Sequence, residues 1–343
     1  MNGRSPASRS RCRPRRDYTS PTRKRGTIAF PRLRVGLVLT VRDSNPFYLT
    51  FTSMKLSAAY ASGRFGLSFE LFPPKTEAGE TEMYRNLEEL VGFNPSYITC
   101  TYGAGGSTQT KTLDIVERVR GRFGRPVASH LTCVGATVDQ LRDYLREAAR
   151  RGVDHIVALR GDPPAGETGF TQVKGGLRYA NDLVALIRSE FSDFGVAVAG
   201  YPETHREAVS PQADLENLKR KVDAGADVVL TQLFYHNEDF YRFADRCGKA
   251  GIGVPIVPGI LPVTNLAQIK RIASLCGARL PGDFITALEA HSEDPQGQFD
   301  VGVEFAIRQV QELVDRGVAG MHFYVLNKSP ATVRILRNVT RPE

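Results

Sequence analysis

The chain has 343 residues, 41% hydrophobic and 24% charged, enough for one large core or two ordinary ones in a soluble protein. Its formal charge of +8 would suggest nucleic acid or an acidic membrane, but residues 1–55 hold 13 Lys or Arg against 2 acids while residues 56–343 hold 32 against 35. The body is near neutral, and the longest apolar run of the head, "VGLVLTV", covers 7 residues where a spanning helix needs ~20, so neither a nucleic-acid nor a membrane partner is expected. The five Cys (12, 100, 133, 247 and 276) are odd in number and lack CxxC spacing; neither a disulfide frame nor a metal site is expected, and a reducing cytoplasm fits.

From the N-terminus, residues 1–60 are read as an Arg/Ser/Pro-rich extension, disordered in isolation. A transit peptide, a binding tail and sequence upstream of the native start all fit it, and the last is favoured because Met54 opens "MKLSAAYASGRFG" just before the ordered pattern. Residues 61–343 are then one catalytic domain. Strands are predicted near 65–72, 96–101, 127–133, 154–159, 195–200, 227–232, 254–258 and 319–325. Helical patterns lie near 80–92, 108–122, 137–151, 178–191, 211–224, 237–250, 264–276 and 298–316, several closed by a glycine ("RRGVD", "DAGAD", "KAGIG", "DRGVA") suited to a left-handed cap. Eight strand–helix pairs make a TIM (β/α)8 barrel of the α/β class, with a doubly wound sheet as the alternative. Residues 281–300 look like an insertion before the last helix and strand.

A barrel of this kind works at the C-terminal ends of its strands. Glu70, an acid in the apolar run "FGLSFELFPP", ends the first; Thr101 and Tyr102 follow the second, His130 lies at the end of the third, and Arg160 and Asp162 follow the fourth. Tyr201 and His205 follow the fifth, Gln232 ends the sixth, and Tyr324 and Asn327 close the eighth. Any one could be a surface residue, but seven of eight strands carry such a residue at the same end. In "PQADLENLKRKVDAGAD", Asp214, Asn217 and Lys221 fall on one helical face with Arg220 beside them, either a solvated charged face or a cationic site for a pyrophosphate. The Gly-rich "YGAGGSTQTKT" lacks phosphate-loop spacing, and with no HxH or HExxH a metal-dependent hydrolase is the secondary enzyme reading.

The strings "SFELFPPKT", "TYGAGG", "HLTC", "HIVALRGDPP", "YPETH", "ADLENLKRKVDAGAD", "TQLFY", "VPGILPV" and "HFYVLN" occur in the order found in the methylenetetrahydrofolate reductase family, which the chain resembles over about residues 65–340. The resemblance implies a cytoplasmic enzyme of one-carbon metabolism and methionine synthesis, of the short bacterial kind. It would bind FAD noncovalently, take hydride from NADH or NADPH and reduce 5,10-methylenetetrahydrofolate to 5-methyltetrahydrofolate. Folate and a nicotinamide nucleotide are its small-molecule partners, homo-oligomeric assembly is expected, and inhibition by S-adenosylmethionine is not. A flavin-binding protein without turnover is the non-enzymatic alternative.

By the same resemblance, Glu70 is the acid that protonates the folate's bridging nitrogen, and burial is expected to raise its pKa. Asp162 is the carboxylate near flavin and pterin. Thr101, Tyr102, Ala104, His130, Arg160, Gly161, Asp162, Tyr179, Ala180, Tyr201, His205, Asp214, Asn217, Arg220 and Lys221 match FAD-lining positions. Arg220, Lys221 and His205 would serve the phosphates, and Asp214 and Asn217 the ribose or adenine side. Glu70, Gln232, Gln268, Tyr324 and Lys328 match substrate positions. Two departures touch that site: the family often has Arg where this chain has Lys328, and some members have Phe where it has Ile272.

Overall fold

The computed structural model describes residues 55–61, 63–102, 109–162 and 171–342. Eight parallel strands close into a barrel in sequence order: β1 (Gly66–Leu71), β2 (Tyr97–Cys100), β3 (Val127–Thr132), β4 (His155–Leu159), β5 (Gly195–Gly200), β6 (Val228–Leu233), β7 (Ile256–Ile260) and β8 (Gly320–Tyr324). The β1–β8 pairing, with Ser68 beside His322 and Glu70 beside Tyr324, completes the ring. The eight-stranded barrel expected from the sequence is therefore the fold, and the doubly wound alternative falls.

Helices α1 (Glu77–Val91), α2 (Gln109–Phe123), α3 (Val138–Arg150), α4 (Ala180–Glu190), α5 (Pro211–Asp223), α6 (Asn237–Lys249), α7 (Leu266–Cys276), α8 (Gly282–Glu289), α9 (Pro295–Asp315) and α10 (Pro330–Asn338) accompany the strands. Thr76, Thr137 and Ser210 start α1, α3 and α5 as N-caps, each accepting a backbone N–H from inside its helix. The four glycines proposed as helix stops, Gly152, Gly225, Gly251 and Gly317, all have positive φ.

Period-two alternation separates two packing surfaces. Outward residues such as Phe69, Leu71, Ile98 and Phe323 pack with helix residues including Met83, Leu87 and Val310 in the main core. The inward surface near the closed end gathers Tyr97, Ala128, Val157, Ala197, Val228, Leu230 and Val257 around Leu56, Ala59 and Tyr60. Two acids fix the N-terminal rim by the same device. Asp154 accepts the Val127 N–H and pairs with Arg120, while Asp227 accepts the Val196 N–H at 2.7 Å and pairs with Arg188 at 2.6 Å.

Two expectations need correction and one gains detail. Leu56–Tyr60, assigned above to the extension, is a 3₁₀ helix with Leu56 1% and Tyr60 5% exposed, plugging the barrel's closed end. The stretch 281–300, expected as an insertion, adds the extra helix α8 between α7 and α9, and Phe284 stacks on Phe305 with ring centroids 4.0 Å apart. Strand β7 starts two residues later than expected, because Pro255 lacks an N–H for the ladder while its carbonyl accepts from Val229. The rest of the extension, residues 1–54, lies outside the described residues.

Candidate active site

Strand β1 places Ser68 and Glu70 two apart, so both point into the barrel, while Phe69 and Leu71 face the helices. Opposite Glu70, His130 from β3 brings Nε2 to 3.2 Å from Glu70 Oε2, off the line of a good hydrogen bond. His322 from β8 brings its Nε2 to 3.3 Å from the same oxygen. Its other nitrogen, Nδ1, lies 2.8 Å from Ser68 Oγ. His322 is fully buried, yet the sequence reading assigned it no role.

This environment reverses the expectation for the acid. Burial pushes the Glu70 carboxyl up, but the charge of His130 and the hydrogen bond from His322 outweigh it and hold the carboxyl at about 2. Glu70 is thus a carboxylate clamped between two imidazoles rather than an isolated neutral acid. Its proton chemistry belongs to the three groups together.

Tyr324, two residues beyond His322 on the same inward face, donates its hydroxyl to the Thr231 carbonyl at 2.6 Å. To do so the ring crosses over β7 at Gly259, where a Cβ would stand 2.7 Å from Tyr324 Cε2 and 2.2 Å from the Thr231 carbonyl oxygen. The mouth therefore meets the Tyr324 ring rather than its hydroxyl hydrogen. Gln232 also faces inward, its Oε1 accepting the Leu233 N–H at 2.9 Å. Asn327 exchanges two hydrogen bonds with the Phe72 backbone, 3.0 and 2.8 Å, tying the segment after β8 to the end of β1.

A second group lies at the ends of β4 and β5. Arg160 forms a two-pronged pair with Glu207 at 2.6 and 3.0 Å, and exposed Asp162 follows it. Between them Gly161 has φ +88°, and a Cβ there would come within 2.5 Å of Val134 Cγ1, so this turn has room only for glycine. Tyr201 meets the His205 ring edge-on at 4.6 Å, and Asp214 of α5 accepts the His205 N–H at 3.0 Å. Burial, then the neighbouring Arg160, pushes the His205 pKa down. Its Nδ1 accepts the Glu207 N–H at 3.1 Å, which leaves Nε2 as the donor of the neutral ring.

Lys221 of α5 donates to the Ala199 carbonyl at 2.5 Å. Burial brings its ammonium down to about 8 against the opposing pull of Asp214. Among the described residues it forms no ion pair. A half-buried cation beside neutral His205 and Arg160 is a donor set that could take a phosphate-bearing ligand such as FAD. Asn217 and Arg220 are exposed and bonded to each other at 2.6 Å.

The remaining expected residues are more dispersed. Buried Tyr102 packs edge-on against Tyr144 at 5.6 Å, and the Thr101 carbonyl accepts from Thr112 at 2.9 Å. Tyr179 caps α4 at 47% exposure, followed by buried Ala180. Gln268 on α7 and Lys328 after β8 are exposed. Ala104 lies outside the described residues. Among the described residues, no helix is long and apolar enough to cross a membrane, and no group of three or more His, Cys, Asp or Glu has metal-binding geometry.

A closed parallel barrel with a carboxylate–imidazole cluster inside its C-terminal mouth defines an α/β-barrel enzyme equipped for proton transfer. The chain belongs to the methylenetetrahydrofolate reductase family, whose model, "Methylenetetrahydrofolate reductase", matches residues 55–340. It is 41% identical over 283 residues to the 5,10-methylenetetrahydrofolate reductase of Escherichia coli (strain K12), covering 82% of this chain and 93% of that one. It is 38% identical over 295 residues to "Methylenetetrahydrofolate reductase (NADH) 1" of Arabidopsis thaliana, where 83% of this chain spans 50% of the longer plant protein. Among solved structures, a Clostridium thermocellum protein that binds two copies of 5-methyl-5,6,7,8-tetrahydrofolic acid shares the fold at a TM-score of 0.53 and 13% identity, over 79% of this chain and 93% of that one.

Proposed function

We propose that this chain reduces 5,10-methylenetetrahydrofolate to 5-methyltetrahydrofolate, using bound FAD and a nicotinamide nucleotide. The observation that carries the reading is the Glu70–His130–His322 cluster at the barrel mouth. The overall reaction adds one hydride and one proton to the folate, and the proton opens the five-membered ring at its bridging nitrogen. A cluster that stores a proton between a carboxylate and two imidazoles can supply it. Glu70, ionised in the free site, is the group that passes the proton on, and His130 is the neighbouring group that hands it over.

FAD, when bound, would supply the hydride relay between nicotinamide and folate. The chain's part is to hold and orient it: Lys221, His205, Arg160 and Arg220 are the cations and donors for its phosphates, and Asp214 fixes the segment bearing His205. Asp162, an exposed carboxylate after β4, would favour the positive charge that develops on the folate. Gln232 and the Tyr324 ring line the region where folate and nicotinamide would alternate.

The test is an absorption spectrum and a metal assay on one purified sample, followed by anaerobic addition of NADH or NADPH and then methylenetetrahydrofolate. Stoichiometric FAD, bleached by the nucleotide and restored by the folate, is the expected result. A colourless protein carrying zinc and inert to both substrates would overturn the reading in favour of a hydrolase.

A further inference from the structure

The interior of an α/β barrel is ordinarily filled by branched aliphatic side chains. Here one interior level is polar: Ser68, Tyr97 and His322 occupy paired register positions on β1, β2 and β8, and all three are buried. From the plug below, the Tyr60 hydroxyl reaches 2.7 Å to the Tyr97 hydroxyl and 3.5 Å to Ser68 Oγ. Ser68 continues to His322 Nδ1 at 2.8 Å, and His322 Nε2 to Glu70 at 3.3 Å. A line of polar groups thus runs from the closed end of the barrel to the acid at its mouth.

Buried donors must find acceptors, and this requirement sets the direction of the line. If Glu70 is the final acceptor, Tyr97 donates to Tyr60, Tyr60 to Ser68, Ser68 to His322 Nδ1, and His322 donates from Nε2. Every hydrogen is then used. The other His322 tautomer would set an unprotonated Nε2 against the Glu70 carboxylate at 3.3 Å, two acceptors facing each other with no hydrogen between them. Each hydroxyl that accepts a hydrogen bond becomes a better donor, so the two phenols strengthen Ser68 as a donor to His322. Burial pushes the Tyr97 hydroxyl up to about 12 and that of Tyr60 well above its ordinary value, so both keep their hydrogens. The titratable groups facing this level are Glu70 from β1, His130 from β3, His155 from β4, Tyr324 from β8 and the two phenols.

We propose that the Tyr60–Tyr97 hydroxyl pair locks His322 in the Nε2–H tautomer and so keeps an N–H aimed at Glu70. Neither tyrosine touches substrate; both are positioning residues that act through Ser68 and His322. The plug helix is on this account part of the proton-handling apparatus as well as a lid on the closed end. The inference deepens the folate-reducing reading and rests on it only for its kinetic arm.

The test uses the full chain labelled with ¹⁵N-histidine, with the His322 signals identified by their loss in His322→Gln. Long-range ¹H–¹⁵N spectra should show a protonated Nε2 and an unprotonated Nδ1 in the wild type. Tyr60→Phe and Tyr97→Phe each remove one oxygen and keep the ring, so each tests the pair at the smallest change in packing. Either should move the His322 nitrogens toward the tautomer average. In the folate half-reaction either should raise the midpoint of the pH profile by roughly 0.4–1 unit, the net worth of one hydrogen bond, because Glu70 loses donor support. Reduction by the nicotinamide should be unchanged. Unmoved nitrogen shifts in both variants overturn the lock even if their melting temperatures fall. A protein that reduces no folate but shows the tautomer change would overturn the functional reading alone.

Discussion

Glu70→Gln keeps the shape of the side chain at the barrel mouth and removes its charge and its ability to pass on a proton. The wild-type carboxyl falls from 4.5 to about 2 between two imidazoles, a shift worth on the order of 3 kcal/mol at about 1.4 kcal/mol per unit. Because the folded pKa is the depressed one, this stability is fully present above pH 4.5 and is lost as pH falls through about 2. The variant's stability deficit should therefore be larger at pH 6 than at pH 3. On the reaction, loss of a general acid costs 10²–10⁴-fold, or roughly 3–5 kcal/mol of barrier. Flavin reduction by the nicotinamide needs no proton from this cluster, so only the folate step should slow by that factor. Anaerobic stopped-flow at the flavin band measures both steps on one preparation, and urea denaturation at the two pH values measures the stability difference. Equal slowing of the two half-reactions would show that Glu70 positions the flavin or supports the fold. A deficit independent of pH would show that the imidazoles do not hold the carboxylate.

Gly161→Ala should lower stability by about 1–3 kcal/mol in urea, since the new Cβ would lie 2.5 Å from Val134 Cγ1 at a φ of +88°. Lys221→Met should weaken FAD binding in a fluorescence titration. Its stability relative to wild type should fall by roughly 1–3 kcal/mol between about pH 8 and 10.5, because the wild type's burial penalty exists only while Lys221 is charged and is relieved as pH rises through that window. Deleting residues 1–53 should leave the melting temperature unchanged in calorimetry. Deleting 1–60 should lower it by several degrees, because burial of the Leu56 and Tyr60 side chains contributes about 1.5–3 kcal/mol each.

The barrel was legible because its strand–helix alternation is regular and its helix stops are glycines, and the mouth was legible because polar residues end so many strands. The plug was not. "LSAAY" has no period of its own, and its burial follows from where the chain passes beneath the barrel. Helix α8 was hidden inside 281–300 because only Phe284 and Leu288 of its eight residues are buried, and they join a separate cluster with Tyr235, Val263, Ile269 and Phe305 rather than the main core. The raised pKa expected for Glu70 failed for a different reason. An apolar run along the chain says nothing about what strands β3 and β8 bring across the barrel, and two imidazoles at 3.2 and 3.3 Å outweigh the burial that the run correctly implied.

His322 could have been found by alternation. In "SFEL" of β1 and "MHFY" of β8, polar and apolar residues take turns, and the parallel register sets Ser68 beside His322 and Glu70 beside Tyr324. "YIT" of β2 repeats the pattern, with Tyr97 beside Ser68 and Thr99 beside Glu70. The inward positions of β4 to β7 near the closed end, by contrast, are Val157, Ala197, Val228, Leu230 and Val257, with His155 at the start of β4 meeting Tyr97 edge-on. The interior is thus divided, with one side polar and hydrogen-bonded and the other aliphatic apart from His155. A buried polar level is stable only if its members satisfy one another. Replacing Ser68 or His322 singly by an apolar residue would strand its partners, whereas the outward neighbours Phe69 and Phe323 answer only to packing volume. That division is why the chemistry at the mouth constrains residues down to the barrel floor.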